Sequence, residues 1–365
     1  MRICFVAPAS SYHTKKWAQY FIEQGHDVHV VTLDDGVIDG VITHRLKVDA
    51  DVSSSDREKI AYLAQFKKLR LLLSEVNPDV VSAHYASSYG TLTALACSKP
   101  YALSVWGGDV YEFPQKSIFH RKLIEFSLKR ASVLLSTSRA MAKEASKYTD
   151  KDFKITPFGV NEKLFKPIIH DNGSEYIVTT IKALTPKYGI DVLILACADV
   201  MLQRPDINIK LRIAGKGPMR KSLEALAVEL GLESSITWLG FITQEEAAAE
   251  WAHADVAVIP SIDESESFGV SAVEAQACGV PVIISDIPGL MESTIPGYSS
   301  LVFRRGDCEG LAQLLIKLHD DRELSAKLGH GGRRNVEEKF TYKECFSKIE
   351  EILISVTNFD DFKKK

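Results

Sequence analysis

Val256-Ala257-Val258-Ile259-Pro260 runs into Ser261-Ile262-Asp263-Glu264-Ser265-Glu266-Ser267-Phe268-Gly269, and then into Val270-Ser271-Ala272-Val273-Glu274. The first five residues form a continuous apolar run with the length of a buried strand. A polar loop follows, and a helix starts near Gly269. Strand, loop and helix in this order are the repeating unit of a parallel α/β sheet. Glu266 falls in the loop and Glu274 inside the helix. A helix begun there leaves the N–H groups of Phe268, Gly269 and Val270 without intrahelical acceptors, so they point at an anion. Gly269 lets a ligand approach the backbone closely. A carboxylate in the loop suits sugar hydroxyls, and one a turn into the helix suits a ribose. The same residues also read as an acidic, solvated loop, and spacing alone leaves both readings open.

Outward from this segment the rhythm repeats. Tyr176–Ile181, Ile209–Ala214, Ile236–Leu239, Val282–Ser285 and Ser300–Phe303 read as further strands of the second half. In the first half, Ile3–Ala7, Val28–Thr32, Val80–Ala83, Ala102–Val105 and Val133–Ser136 read as strands. Stretches 57–76, 89–98, 116–130 and 139–147 read as helices, and Trp17, Ala18, Phe21 and Ile22 lie on one face of another that Gly25 closes. Between Pro157 and about Gly173 the rhythm breaks in a segment rich in Pro, Gly, Asn and Asp. The expectation is an α/β chain of two Rossmann-like domains facing a central cleft. They cover 1–165 and 166–340, with a C-terminal helix and tail over 341–365. Ligands of such sheets bind beyond the carboxyl ends of the strands, so functional residues are sought just after strands.

The 365 residues are enough for two cores, at 45% hydrophobic and 25% charged. A net charge of −4 gives no global basic field and argues against nucleic-acid binding. The six cysteines are scattered and never form a Cys-x-x-Cys pair, which points to free thiols in a reducing compartment. Met1-Arg2-Ile3-Cys4-Phe5-Val6 runs straight into a strand without a basic leader and long apolar core. No run of eighteen apolar residues occurs. A cytoplasmic protein is expected, with contact at the inner face of the membrane left open.

The segment Glu266-Ser-Phe-Gly-x4-Glu274, continued by Ala275-Gln276-Ala277-Cys278-Gly279-Val280-Pro281-Val282-Ile283, resembles the signature of family 4 retaining glycosyltransferases, which have the GT-B fold. Ile213-Ala214-Gly215-Lys216-Gly217-Pro218 resembles that family's Gly-x-Gly-Pro turn. Trp238-Leu239-Gly240-Phe241, Ala254–Ser261 and Pro157-Phe158-Gly159-Val160-Asn161 match further family segments. Gly25-His26-Asp27-Val28 and Asp79–His84 match more loosely. The resemblance implies that Glu274 binds the ribose of a nucleotide-sugar donor and that Glu266 contacts the donor sugar. It implies too that the amides of Phe268, Gly269 and Val270 face sugar and diphosphate, and that the C-terminal helix returns to the N-terminal domain.

A departing nucleoside diphosphate also needs cations. Lys182, at the end of a strand, and Lys187, in Thr185-Pro186-Lys187-Tyr188-Gly189, are the candidates. The family usually has Arg at the position of Lys182 and Lys immediately before the following Gly, a place that Tyr188 takes here. Lys182 acts as a point charge without the fork of Arg. Gly215 and Gly217 sit where a strand ends and Pro218 is expected to open a helix; a plain tight turn explains them equally well.

On the acceptor side, Ser104-Val105-Trp106-Gly107-Gly108-Asp109 follows a strand. Asp109 reads either as a catalytic residue that accepts a hydrogen bond from the acceptor or donor sugar, or as a turn aspartate serving its own backbone. His84 and Tyr85 end another strand, where a satisfied structural histidine is the first reading and an acceptor contact the second. Where the family often shows a Gly-Gly pair after the first strand, this chain has Pro8-Ala9-Ser10-Ser11-Tyr12-His13. Ser10, Ser11, His13, His84 and Trp106 are the acceptor-side candidates.

No metal is expected: no His/Cys/Asp cluster has ligand spacing, and Asp49-Ala50-Asp51 lies in a polar segment before a helix. Helix N-termini and lysines take that part instead. Two basic amphipathic stretches, 64–76 with Lys67, Lys68 and Arg70, and 120–130 with His120, Arg121, Lys122, Lys129 and Arg130, suit anionic lipid or ordinary packing on the sheet. The terminal Lys363-Lys364-Lys365 reads as a solvated tail.

The sequence therefore points to a retaining glycosyltransferase. It moves a sugar from a UDP- or GDP-linked donor to a glycan or lipid-linked glycan, with no cofactor besides that substrate. The alternatives are a sugar-nucleotide epimerase of similar architecture and a non-catalytic partner subunit.

Overall fold

The computed structural model describes residues 1–47, 61–168 and 173–358. Asp49-Ala50-Asp51, the start of the 57–76 stretch and the basic tail fall outside them. The chain forms two compact units. Met1–Phe158 is joined by the segment from Phe346 onward, and Gly159–Cys345 forms the other.

The first unit holds a parallel seven-stranded sheet in the order β3-β2-β1-β4-β5-β6-β7. Its strands are β1 Arg2–Val6, β2 Asp27–Thr32, β3 Ile42–Arg45, β4 Val80–His84, β5 Tyr101–Val105, β6 Val133–Ser136 and β7 Phe153–Ile155. The central strands β4 and β5 are buried throughout, as expected of a sheet covered on both faces. The two edge strands, β3 and β7, are half exposed, and neither is apparent from the sequence. A strand covered by less protein needs less apolar surface, so Ile-Thr-His-Arg carries no hydrophobic run to reveal it.

The helix Tyr12–Glu23 closes through Gly25, at φ +79°. His26 N–H donates to Phe21 O and Gly25 N–H to Ile22 O, the paired bonds of a left-handed helix end. From Phe346 the C-terminal helix Tyr342–Thr357 belongs to this first unit, as the family resemblance implied. The Phe346 ring lies 5.1 Å from that of Tyr20, and the Glu350 carboxylate meets Tyr20 Oη at 3.2 Å and His26 Nε2 at 2.7 Å.

The second unit holds a parallel six-stranded sheet in the order β10-β9-β8-β11-β12-β13. Its strands are β8 Glu175–Ile181, β9 Asn208–Ala214, β10 Ile236–Gly240, β11 Val256–Ile259, β12 Val282–Ser285 and β13 Ser300–Phe303. All six were legible in the sequence. Each sheet reverses its strand order once, between β1 and β4 in the first unit and between β8 and β11 in the second. Loops leaving the carboxyl ends of such neighbouring strands diverge to opposite faces and leave a crevice, the usual ligand position in open α/β sheets. Lys182 follows β8, and the Ser261–Gly269 loop follows β11.

Candidate active site

Lys182 and Glu266 meet at the crevice of the second sheet. Lys182 Nζ donates to Glu266 Oε2 at 2.6 Å, with side chains only 8% and 10% exposed. Ser261 Oγ donates to the same carboxylate oxygen at 3.3 Å. Withdrawing either charge from water alone costs several kcal/mol, roughly; the short charge-assisted bond offsets that cost for both.

The helix Val270–Ala277 begins beside this pair. Gly269 precedes it at φ +76°, and a Cβ there would lie 2.3 Å from Leu290 Cδ2. A side chain at 269 would thus be both strained and obstructed. No side chain caps this helix, and among the described residues Phe268, Gly269 and Val270 donate no N–H to protein. Three uncommitted donors at a helix N-terminus favour an anionic ligand group. Glu274 is buried one turn into the helix, on the face shared with Val270.

The far side of that helix is held by a buried amide network. Gln276 Nε2 donates to Ala272 O at 3.1 Å and Ser293 O at 3.0 Å, and Asn335 Nδ2 donates to Gln276 Oε1 at 3.0 Å. Gly289, which the sequence reading passed over, supports the front: a Cβ on it would come within 2.4 Å of Glu266 O. Only the Pro288-Gly289 dipeptide, an ordinary turn signal, marks this position in the sequence.

Gly215 and Gly217 serve the site indirectly. A Cβ on Gly215 would sit 1.8 Å from Lys182 O, and one on Gly217 would sit 2.2 Å from Leu184 O. The turn lies flat against the strand of chain that carries Lys182, with Lys182 N–H donating to Ala214 O and Leu184 N–H to Lys216 O. Pro218 does not open the following helix, which begins at Arg220. Met219 N–H donates to Leu184 O at 3.0 Å, and this bond keeps Pro218 and Met219 in the turn. Lys187 Nζ lies 3.4 Å from Ser265 Oγ, and Lys187 O accepts Ile262 N–H at 2.8 Å, joining the β8 and β11 loops.

In the first unit, His13, His84 and Trp106 gather in one aromatic cluster. The His13 ring stacks on Phe158 at 3.8 Å and meets Trp106 edge-on at 5.8 Å. His84 is fully buried between Trp17 and Trp106, with ring centroids at 4.5 Å and 4.7 Å. Neither of its ring nitrogens has a hydrogen-bond partner among the described residues, and burial pushes its pKa down to about 3. The His13 imidazole is also held well below the usual range, by burial first and then by Lys16 and His84. Both are neutral imidazoles at pH 7.

Of the remaining first-unit candidates, Ser10 and Asp109 are engaged with other protein groups. Ser10 Oγ donates to Asp34 Oδ2 at 2.7 Å, and Ser11 precedes the helix Tyr12–Glu23 without a side-chain capping bond. Asp109 corrects the catalytic reading. Its carboxylate accepts N–H bonds from Ala86 at 2.8 Å, Trp106 at 3.1 Å and Gly107 at 2.8 Å. Burial raises its pKa, and those three bonds work in the opposite direction. It is the turn aspartate that fixes Trp106 and ties β5 to the β4 loop. Beside it Tyr85 adopts φ +69°, a left-handed conformation that no residue pattern announces.

Among the described residues, no group of three or more His, Cys, Asp or Glu side chains could hold a metal ion. No described helix is long and apolar enough to cross a membrane.

Comparisons with known proteins agree with this architecture. A family model described as glycosyl transferase 4-like matches residues 2–138, and one described as glycosyl transferases group 1 matches residues 161–335. An uncharacterised glycosyltransferase of Methanocaldococcus jannaschii is 28% identical over 297 residues, 80% of each chain. The N-acetyl-alpha-D-glucosaminyl L-malate synthase of Bacillus anthracis is 24% identical over 359 residues, 93% of this chain and 91% of its own. The Anabaena protein HepE, solved in complex with UDP and glucose, superposes with a TM-score of 0.80 at 18% identity, covering 97% of this chain and 100% of that one. With a transferase model on each sheet, a GT-B neighbour along the whole length and the Glu266–Glu274 segment in place, the chain belongs to the family 4 glycosyltransferases and is a sugar-transferring enzyme.

Proposed function

We propose that this glycosyltransferase moves a sugar, with retention at the anomeric carbon, from a UDP- or GDP-linked donor to a hydroxyl of a glycan or lipid-linked glycan. The observation that carries the donor reading is the buried Lys182–Glu266 pair beside a helix start with three uncommitted N–H groups. That combination offers positive potential to a diphosphate and a carboxylate to sugar hydroxyls. Glu274 holds the ribose. HepE, of the same fold, is described in complex with UDP and glucose, which supports a nucleotide-linked donor here.

In the proposed step the bond from anomeric carbon to phosphate oxygen breaks while a bond to the acceptor oxygen forms on the same face. The acceptor proton passes to the departing phosphate oxygen, so no side-chain base is required. This fits Asp109 and His84, neither of which has the free, titrating character of a general base. Lys182, Lys187 and the helix N-terminus stabilise the leaving diphosphate without a resident cofactor or metal; turnover unchanged after exhaustive chelation is the expected outcome. His13, Trp106 and the loop around Ser10 and Ser11 contribute to acceptor recognition.

We place the enzyme in the cytoplasm at an anionic membrane face. The six free thiols support a reducing compartment. Of the two basic stretches, we assign the membrane contact to the second. On helix Phe66–Val76 the side chains of Phe66, Leu69, Leu72 and Leu73 pack on the core. On helix Ile118–Arg130, Ile118 is 81% and Phe119 50% exposed, next to Lys116, Arg121 and Lys122.

The deciding experiment is a thermal-shift panel of UDP-, GDP- and ADP-sugars on the wild type and Glu274→Ala. A ligand that binds only the folded state must raise its stability. A shift for one nucleotide class, lost in the variant, is expected. Shifts of equal size in both proteins would move the ribose site away from Glu274. Label exchange at the donor sugar without acceptor would instead favour an epimerase.

A further inference from the structure

We propose that Tyr188 is a positioning residue, a cation–π platform that gathers the two site ammonium groups and so replaces the lysine usual at its place in the family. Its ring centroid lies 5.1 Å from Lys182 Nζ and 5.0 Å from Lys187 Nζ. Both distances are inside the range, about 6 Å, over which an ammonium is attracted to the face of an aromatic ring. The two cations come from different places, one from the end of β8 and one from the short 3-10 turn Pro186–Tyr188. Like charges brought together repel each other, and a shared electron-rich ring offsets part of that repulsion.

The platform is fixed before any ligand arrives. Tyr188 N–H donates to Thr185 O at 3.2 Å, and the ring packs, partly buried, on the hydrophobic core of the second unit. The turn ends in Gly189 at φ +60°, where the helix Ile190–Gln203 begins. The ring therefore holds its orientation by packing, while the lysine stems are long and flexible. Lys187 is further oriented by Ser265 Oγ at 3.4 Å, and Lys182 by Glu266 at 2.6 Å. The shift of a lysine by one residue, with an aromatic ring left in its former place, keeps two cations at the crevice instead of removing one. This inference rests on the donor-site reading above and deepens it.

The test compares Tyr188→Phe, Tyr188→Leu and pentafluorophenylalanine at 188, which keeps the ring but reverses its face charge. Inorganic pyrophosphate binding is measured by calorimetry, with thermal melting as a control of folding. Tyr188→Phe should bind as the wild type does, while Tyr188→Leu and the fluorinated ring should each weaken binding by about tenfold. With a turnover assay in hand, the loss should appear in kcat more than in the donor KM. Equal affinity for pyrophosphate in Tyr188→Phe and the fluorinated protein would overturn the proposal, as would a wild type that does not bind pyrophosphate. Failure of the wild type to turn over any nucleotide sugar, with the pyrophosphate pattern intact, would overturn the donor-sugar reading and leave the platform standing.

Discussion

Lys182 Nζ and Glu266 Oε2 lie 2.6 Å apart although 84 positions separate them in sequence, and their side chains are almost wholly buried. The two residues follow neighbouring strands at the turn-round of the sheet, so the pairing of β8 with β11 brings the segments that carry them together. Removing one partner leaves the other charged in a poorly solvated place. Lys182→Ala should cost about 2–3 kcal/mol of transition-state stabilisation, by analogy with loss of one preorganised electrostatic donor. Glu266→Gln should lower kcat more than it raises the donor KM. Steady-state kinetics of both variants check this, and an unchanged rate in Lys182→Ala would remove that residue from the chemistry.

Gly215 is the backbone position on which Lys182 depends. It adopts φ +140°, and any Cβ would collide with Lys182 O at 1.8 Å, a backbone atom that no side-chain rotation can move aside. Gly215→Ala should therefore destabilise the second unit by about 1–3 kcal/mol from backbone strain alone. It should lower turnover as well, because relief requires displacing Lys182. Denaturant unfolding with a parallel rate assay reads both effects. Gly231→Ala, with nothing within 4 Å of the added Cβ but φ +70°, is the control for strain without displacement: it should lose stability and keep its rate.

His84 makes a prediction about pH. Burial lowers its pKa from 6.5 to about 3 in the folded state. A depressed folded pKa means that the unfolded chain takes up a proton before the folded one does. Stability from this residue is thus complete above pH 6.5 and is lost as pH falls towards 3. The slope it contributes in that window is up to about 1.4 kcal/mol per pH unit, and His13, shifted the same way, adds to it. His84→Phe fills similar space without titrating. Urea unfolding between pH 7 and pH 4 should show a shallower loss of stability in the variant. Parallel curves for the two proteins would mean that His84 is not the buried neutral group described above.

The central strands and the Glu266–Glu274 segment were legible because their signals are local. An apolar run that reaches into a polar loop and then a helix is readable one residue after another. Two kinds of feature were not. The edge strands β3 and β7 are half covered: Ile-Thr-His-Arg has no apolar run, and the alternation of Phe153-Lys154-Ile155 spans only three residues, too few to stand out. Asp109 and Gly289 act through groups distant in sequence, the Ala86 amide and the Glu266 carbonyl, and the Tyr188 ring acts on Lys182 across a turn whose side-chain directions no local pattern announces. Asp109 shows the difficulty plainly. An aspartate after a Gly-Gly turn has the same sequence whether it meets a sugar or its own backbone, and only the three N–H bonds distinguish the cases.

Ile118 and Phe119 provide the test of membrane docking. Two large apolar side chains exposed side by side are costly in water, roughly 1.5–3 kcal/mol each relative to full burial. The helix they begin carries Arg121, Lys122, Lys129 and Arg130 against the single acid Glu125. Arg121 and Lys122 both pair with that glutamate, so part of the charge is neutralised, and the apolar pair must supply much of the affinity. Vesicle sedimentation on phosphatidylcholine with and without phosphatidylglycerol separates the two contributions. The wild type should bind the anionic vesicles more tightly, and added salt should narrow the difference. Ile118→Ser with Phe119→Ser should lower the partition coefficient on the order of a hundredfold at constant charge, from the loss of apolar burial. Leu71→Ser, on the helix that packs against the core, removes a side chain that is also exposed, at 66%. It should leave partitioning within about twofold. Equal loss in both variants would show that exposed apolar surface in general, and not the tip at Ile118, brings the protein to lipid. No binding by the wild type would leave the acceptor to be recognised in solution.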